Sequence, residues 1–294
     1  MSADLGSGLL DLQARIAELG PDMGGDVPGR TAALYREAHP GALRHEVVRD
    51  LSYGPHHQHV LDLHLPTDRG DRRRPVLCFV HGGGFVGGDK ARSGQPYYDN
   101  VCRWAVANGW IAVNINYRLA PGATFPAGAE DVAAATHWID TDVAQYGGDP
   151  AAVVVMGHSA GAAHVATMIA RPALTSGSRH PLKGAVLCSG IYEPSRGAGI
   201  DLTDYYGNSP SELAAGSCVD GLCGTDVPVL VTVAEYDPAD VQDQAQLLLD
   251  ALARRQGRPP RFLRAAGHNH FSVMFHIGTE DTRFTEPLGR FVEA

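Results

Sequence analysis

Six short apolar runs constrain this chain more than any other feature: Pro75–Val80, Trp110–Asn116, Ala152–Met156, Gly184–Cys188, Val227–Val233 and Arg261–Arg264. Each is followed by Gly or Pro punctuation and then by a longer helical stretch, which is the pattern of repeated βαβ units. The runs are mostly continuous rather than alternating, as befits strands buried on both faces of a parallel sheet. Two earlier segments, Val47–Tyr53 and His59–Leu65, do alternate and predict an antiparallel edge hairpin. Helices are expected near 96–107, 129–145, 160–171, 240–255 and 279–293. Leu248 and Leu252 mark the core stripe of the fourth, and Pro287 sits early enough to start the main body of the last.

Residues 8–38 read as one or two amphipathic helices, broken at Gly20-Pro21 and Gly24-Gly25. A division follows: an N-terminal arm over 1–45, serving either as a partial cap over a site or as a packing arm, and a catalytic domain over 46–294. With 294 residues, 44% hydrophobic and 19% charged, the chain can bury a full core and lies far from the composition of disordered proteins. Lys plus Arg total 24 against 33 for Asp plus Glu, with no basic run to track phosphates, so nucleic acid is not an expected partner. No apolar run approaches membrane-spanning length and the opening residues lack a signal-peptide pattern, so no membrane association and a cytoplasmic location are expected. The five cysteines are odd in number and mostly set in apolar segments, as free thiols usually are, although pairing of Cys218 with Cys223 stays open.

The chemistry begins at Gly157-His158-Ser159-Ala160-Gly161, which lies between the strand-like Val153–Met156 and the helical Ala162–Ile169. A serine at such a turn is held strained with its hydroxyl pointing out, while the two glycines let strand and helix close together. Ser159 is therefore the candidate nucleophile. His81-Gly82-Gly83-Gly84-Phe85 follows another buried strand, and amides in such a glycine run can turn inward to hold an oxyanion. The donors expected are the amides of Gly83 and Gly84, with Ala160 as a third. The glycine spacing does not match a phosphate loop.

A serine needs a base, and the base needs an orienting acid. Asp237 lies just past the run 227–233 and precedes Pro238, which favours extended geometry; Asp240 and Glu235 are the alternatives. Gly267–Ser272 holds two histidines, of which only one can face Ser159, and His270 beside Phe271 is preferred to His268.

The motifs His81–Phe85, Tyr117–Pro121, Phe125-Pro126, Glu130-Asp131, Gly147–Pro150, Gly157–Gly161 and His270-Phe271 together resemble the α/β-hydrolase superfamily. The similarity is to hormone-sensitive-lipase-like and feruloyl-esterase-like bacterial carboxylesterases and to kynurenine formamidases, and it spans about residues 45–294. It implies an α/β-hydrolase fold with a mostly parallel eight-stranded sheet and helices on both faces. It also implies a triad of Ser159, Asp237 and His270, an oxyanion hole at Gly83, Gly84 and Ala160, and no cofactor or metal. The expected reaction is hydrolysis of a small acyl ester through an acyl-enzyme. An arylformamidase using the same triad on an amide and a non-catalytic binding protein of the same fold are the alternatives. His158 stands where many lipase-like members carry Asp, which leaves the subfamily open. Assembly into a homo-oligomer is open too.

Other conspicuous residues have ordinary readings. His56, His57 and His59 have metal-like spacing but no carboxylate or Cys nearby in sequence, so a solvated turn is expected. Asp89-Lys90 is expected to open the following loop and helix. The stretch 191–227 replaces a long cap with a short lid, whose Tyr192, Tyr205 and Tyr206 either line an acyl pocket or pack.

Overall fold

The computed structural model describes residues 2–36, 38–39, 45–68, 70, 72–92 and 94–294. Eight strands form one sheet: β1 (His45–Ser52), β2 (Val60–Pro66), β3 (Arg74–Val80), β4 (Ile111–Ile115), β5 (Gly148–His158), β6 (Gly184–Cys188), β7 (Val229–Tyr236) and β8 (Arg261–Asn269). Their spatial order is β1-β2-β4-β3-β5-β6-β7-β8. β2 runs antiparallel to both β1 and β4, while β4 through β8 are joined by parallel pairings. The edge hairpin and the parallel centre thus lie where the alternation and the continuous runs put them.

Because successive side chains on a strand point to opposite faces, each central run feeds two cores. Val76, Cys78 and Val80 of β3 face one side and pack with the helices Ala127–Asp142, Ala160–Ala170 and Ala239–Gln256. Leu77 and Phe79 face the other and pack with Asp99–Ala107, Thr285–Glu293 and the N-terminal helices Ser2–Leu19 and Val27–Tyr35. All five of these β3 residues are fully buried. Burying one such side chain stabilises by roughly 1.5–3 kcal/mol, so the two-sided pattern is what holds the sheet between its helical layers.

Three boundaries differ most from the sequence expectation. β5 begins at Gly148 rather than Ala152, and β8 continues beyond Arg264 to Asn269, where Asn269 pairs with Tyr236. Ala265–Asn269 holds Gly, Asn and His and so lacks a strand signature; the neighbouring strand supplies the extended geometry. The last helix begins at Thr285, six residues later than 279. The segment 191–227 folds into short turns of helix at Pro194–Arg196, Thr203–Tyr206, Pro210–Ala215 and Val219–Gly224. Cys218 and Cys223 within it are both free thiols. No helix among the described residues is long and apolar enough to cross a membrane.

Two ordinary readings are corrected. His59 is buried, with Nε2 3.0 Å from an Asp131 carboxylate oxygen and its ring stacked on Tyr53, because the chain returns 72 residues later to supply the acid that local sequence lacked. Lys90 is buried rather than a helix opener, and its ammonium reaches Asp50 at 2.7 Å and Asp62 at 3.0 Å, tying the loop after β3 to the edge hairpin.

Candidate active site

Ser159 occupies the single residue between the end of β5 and the helix Ala160–Ala170, with φ 55° and ψ −122°. Few side chains tolerate that backbone, and such strain clusters at functional turns. The flanking glycines permit it. A Cβ at Gly161 would collide with the carbonyl oxygens of Val80 and His81, and one at Gly157 with the backbone of Gly161. The Ser159 amide donates to the Cys188 carbonyl at 2.8 Å, fixing the turn to β6.

The loop after β8 brings His270 to this hydroxyl, with Nε2 3.0 Å from Ser159 Oγ. Its Nδ1 is 2.7 Å from Asp237 Oδ1. A carboxylate only accepts, so the ring proton sits on Nδ1, and Nε2 is left to take the serine proton. Asp237 lies between β7 and the helix Ala239–Gln256, where its other oxygen accepts from Ser189 Oγ and from the Ala234 amide, both at 2.7 Å. Ser189, in the left-handed region at φ 52°, carried no sequence signal as an orienting partner. The alternatives are placed elsewhere: Glu235 accepts from the Gly267 amide at 2.7 Å, and Asp240 sits in the first turn of its helix. His268 faces Ser272, Tyr35 and Asp281, at 3.2, 3.4 and 3.4 Å, and makes no hydrogen bond to Ser159.

The glycine run after β3 closes the opposite wall. Gly83 and Gly84 have φ of 145° and 59°, and a Cβ on Gly83 would collide with the Gly87 carbonyl, so this turn requires glycine. Gly87 donates back to the Gly83 carbonyl at 3.0 Å. Among the described residues, neither Gly83 nor Gly84 gives its own amide to a backbone acceptor in this turn. Tyr117 donates its hydroxyl to the His81 carbonyl at 2.8 Å and stacks on the His81 ring at 4.4 Å, bracing the start of the run. Burial pushes the His81 imidazole down to about 4. At the end of the run, Phe85 stacks on Tyr205 at 4.6 Å and meets Tyr206 edge-on. Tyr205 and Tyr206 are therefore packing residues behind the glycine wall. Tyr192, fully buried, packs with the core beneath.

Ser159, His270 and Gly82–Gly84 share a cavity of about 430 Å³ with the apolar and aromatic Tyr97, Tyr98, Phe271, Phe275, Met23, Pro28 and Ile200 and with the polar His158, Asp89, Arg92 and Gln95. Apolar and aromatic side chains with a few polar groups among them are the usual lining of small-molecule sites. Met23 and Pro28 come from the N-terminal residues and Ile200 from the segment between β6 and β7. Thr31 accepts from the Asn269 amide group at 3.1 Å, which ties the arm to the residue before His270. Asp62, His64 and Asp99 lie close enough to share a cation, but Arg49 already pairs with both carboxylates and Lys90 with Asp62, so the charges there are matched within the protein.

A family model described as BD-FAE matches residues 61–186. The chain is 31% identical over 199 residues to carboxylesterase NlhH of Mycobacterium tuberculosis, covering 66% of this chain and 56% of that protein. It is 30% identical over 235 residues to esterase LipQ of the same organism, covering 72% and 55%. The chain thus spans little more than half the length of these two relatives. In three dimensions it resembles the inhibited esterase B of Lactobacillus rhamnosis, with a TM-score of 0.74 over 97% of this chain and 96% of that one at 19% identity, a likeness of fold alone.

Proposed function

The chain is a member of the α/β-hydrolase superfamily, and from that premise we propose that it is a serine carboxylesterase acting on small or compact acyl esters. One observation carries the reading: a single imidazole bridges Ser159 Oγ and Asp237, at 3.0 and 2.7 Å, on the wall of a cavity of about 430 Å³. Ser159 attacks the ester carbonyl while His270 takes its proton, and the amides of Gly83, Gly84 and Ala160 hold the oxyanion. His270 then protonates the departing alcohol, and water repeats the sequence on the acyl-enzyme. No step calls on a metal or an organic cofactor. Residues 1–45 act as a partial cap through Met23 and Pro28, ahead of a catalytic domain over 46–294 with its lid at 191–227. A reducing, cytoplasmic setting is in keeping with buried free thiols such as Cys78 and Cys188, both of which burial pushes up to about 12.

The base assignment has a direct test. His270→Ala should lower kcat by at least about a thousandfold, since both proton transfers run through that ring. His268→Ala should cost stability, because Asp281, Ser272 and Tyr35 lose a buried partner, and should leave most of the turnover. The opposite ranking would transfer the role to His268.

Substrate size follows from the cavity. About 430 Å³, roofed by two arm residues and one lid residue, gives an extended acyl tail little shelter. Along a series of p-nitrophenyl esters, each methylene that fits should gain about 0.8 kcal/mol, or roughly fourfold in kcat/KM, until the cavity is full. A maximum at short acyl chains is expected, and a continued climb to long ones would contradict the assignment.

A further inference from the structure

His158, the residue between Gly157 and the nucleophile, makes a contact that the reaction as described does not use. It is buried, and its Nε2 lies 2.9 Å from the main-chain carbonyl oxygen of His270. A carbonyl oxygen can only accept, so Nε2 carries the ring proton and Nδ1 is bare. That bare nitrogen is enclosed with no hydrogen-bond partner among the described residues, and it lies so close to Gly82 that a Cβ there would sit 3.0 Å away. The ring lines the catalytic cavity, 4.8 Å from the His270 ring and 6.4 Å from that of Tyr98, centroid to centroid. Burial, with His270 alongside, pushes this imidazole down to about 3, so it is neutral under ordinary conditions.

Two features make this more than packing. An enclosed acceptor without a partner costs free energy, and a side chain selected only to fill space would be apolar. The donor is aimed at the backbone of the base itself, from the residue bonded to the nucleophile. Asp, the residue many lipase-like relatives carry here, could not make the same bond, because carboxylate and carbonyl are both acceptors.

We propose that His158 is a positioning residue: its neutral Nε2–H holds the His270 main chain so that the imidazole stays in line between Ser159 and Asp237. The proposal rests on the hydrolase reading of those three residues. The nucleophile's own strand thereby sets the distance to its base, and the bond matters most as His270 shuttles between its two proton transfers. An apolar ring at this position would leave the fold intact and let the base loop drift. A drift of about 1 Å at a reacting group costs on the order of a hundredfold in rate.

The test compares His158→Phe with His158→Gln, whose amide can place an N–H where Nε2 stands. His158→Phe should lower kcat by roughly a hundredfold, with KM little changed and the thermal midpoint equal or higher, since the unpartnered acceptor is gone. His158→Gln should recover most of the kcat. Wild-type turnover in His158→Phe would overturn the proposal. So would a loss in both variants that simply follows a fall in thermal midpoint, or a His158→Gln variant as slow as His158→Phe at equal stability. Labelling by a fluorophosphonate separates the two levels of failure. A wild-type enzyme that does not label takes the hydrolase reading down together with this one, whereas a wild type that labels and a fully active His158→Phe overturn the positioning role alone.

Discussion

Ser159→Ala should remove essentially all ester turnover, on the order of a millionfold in kcat, while leaving a folded protein. The size of the loss follows from geometry. With the hydroxyl gone, His270 Nε2 has no proton to take from 3.0 Å away, and the residual rate is what binding and the oxyanion amides supply without a covalent step. Folding should survive because the Ser159 side chain contributes one hydrogen bond to the His270 ring, while the turn itself is held by the Ser159 amide on Cys188 and by the close approach of Gly157 and Gly161. Relieving a non-glycine side chain at φ 55° does not follow either, since Ala suffers the same strain. Activity on p-nitrophenyl acetate and the thermal midpoint, measured on one preparation, decide the matter. A folded variant retaining even a hundredth of wild-type turnover would remove Ser159 as nucleophile.

The sheet and the strained turn at Ser159 were legible because their causes are local. Val76–Val80 is apolar at every position, so it can only be a strand covered on both faces, and a serine flanked by glycines between such a strand and a small-residue helix has few other uses. Asp237 and His270 were legible one step less directly, through chain order and the loops in which they fall. What sequence could not supply is whatever depends on distant segments meeting. Ser189 orients Asp237 across 48 residues, and Asp131 reaches His59 across 72, so neither pair leaves a mark in any window that a pattern can scan. The same holds for the segment 191–227. Tyr205 and Tyr206 could have lined a pocket or packed, and it is Phe85, held in the left-handed region at φ 70°, that turns them inward as support for the glycine wall.

Below neutral pH the protein should lose stability steeply, through buried histidines. His81, His158, His164 and His276 are all enclosed, and burial is the first cause that lowers each, to about 4, about 3 and about 3 for the first three and well below the usual range for His276. In the unfolded chain each titrates near about 6.5. Between the two values the unfolded state binds more protons than the folded one, so stability rises with pH across that window and falls as pH drops below about 6.5. Each histidine contributes about 1.4 kcal/mol per pH unit once well inside the window, so four contribute up to about 5 kcal/mol per unit, against a typical total of 5–15 kcal/mol. The carboxylates act later. Asp99 and Asp281, both held well below the usual carboxylate range by Arg and His partners that outweigh the opposing effect of burial, keep their contribution until pH falls past about 4. Urea unfolding at a series of pH values should therefore show a midpoint falling continuously from pH 7, with unfolding near pH 5 and an uptake approaching four protons. His164→Leu removes one titrating ring whose Nε2 is enclosed without a partner among the described residues, and should reduce the slope by about a quarter. A midpoint unchanged between pH 7 and pH 5 would mean that these rings take up protons inside the folded protein, contrary to their burial.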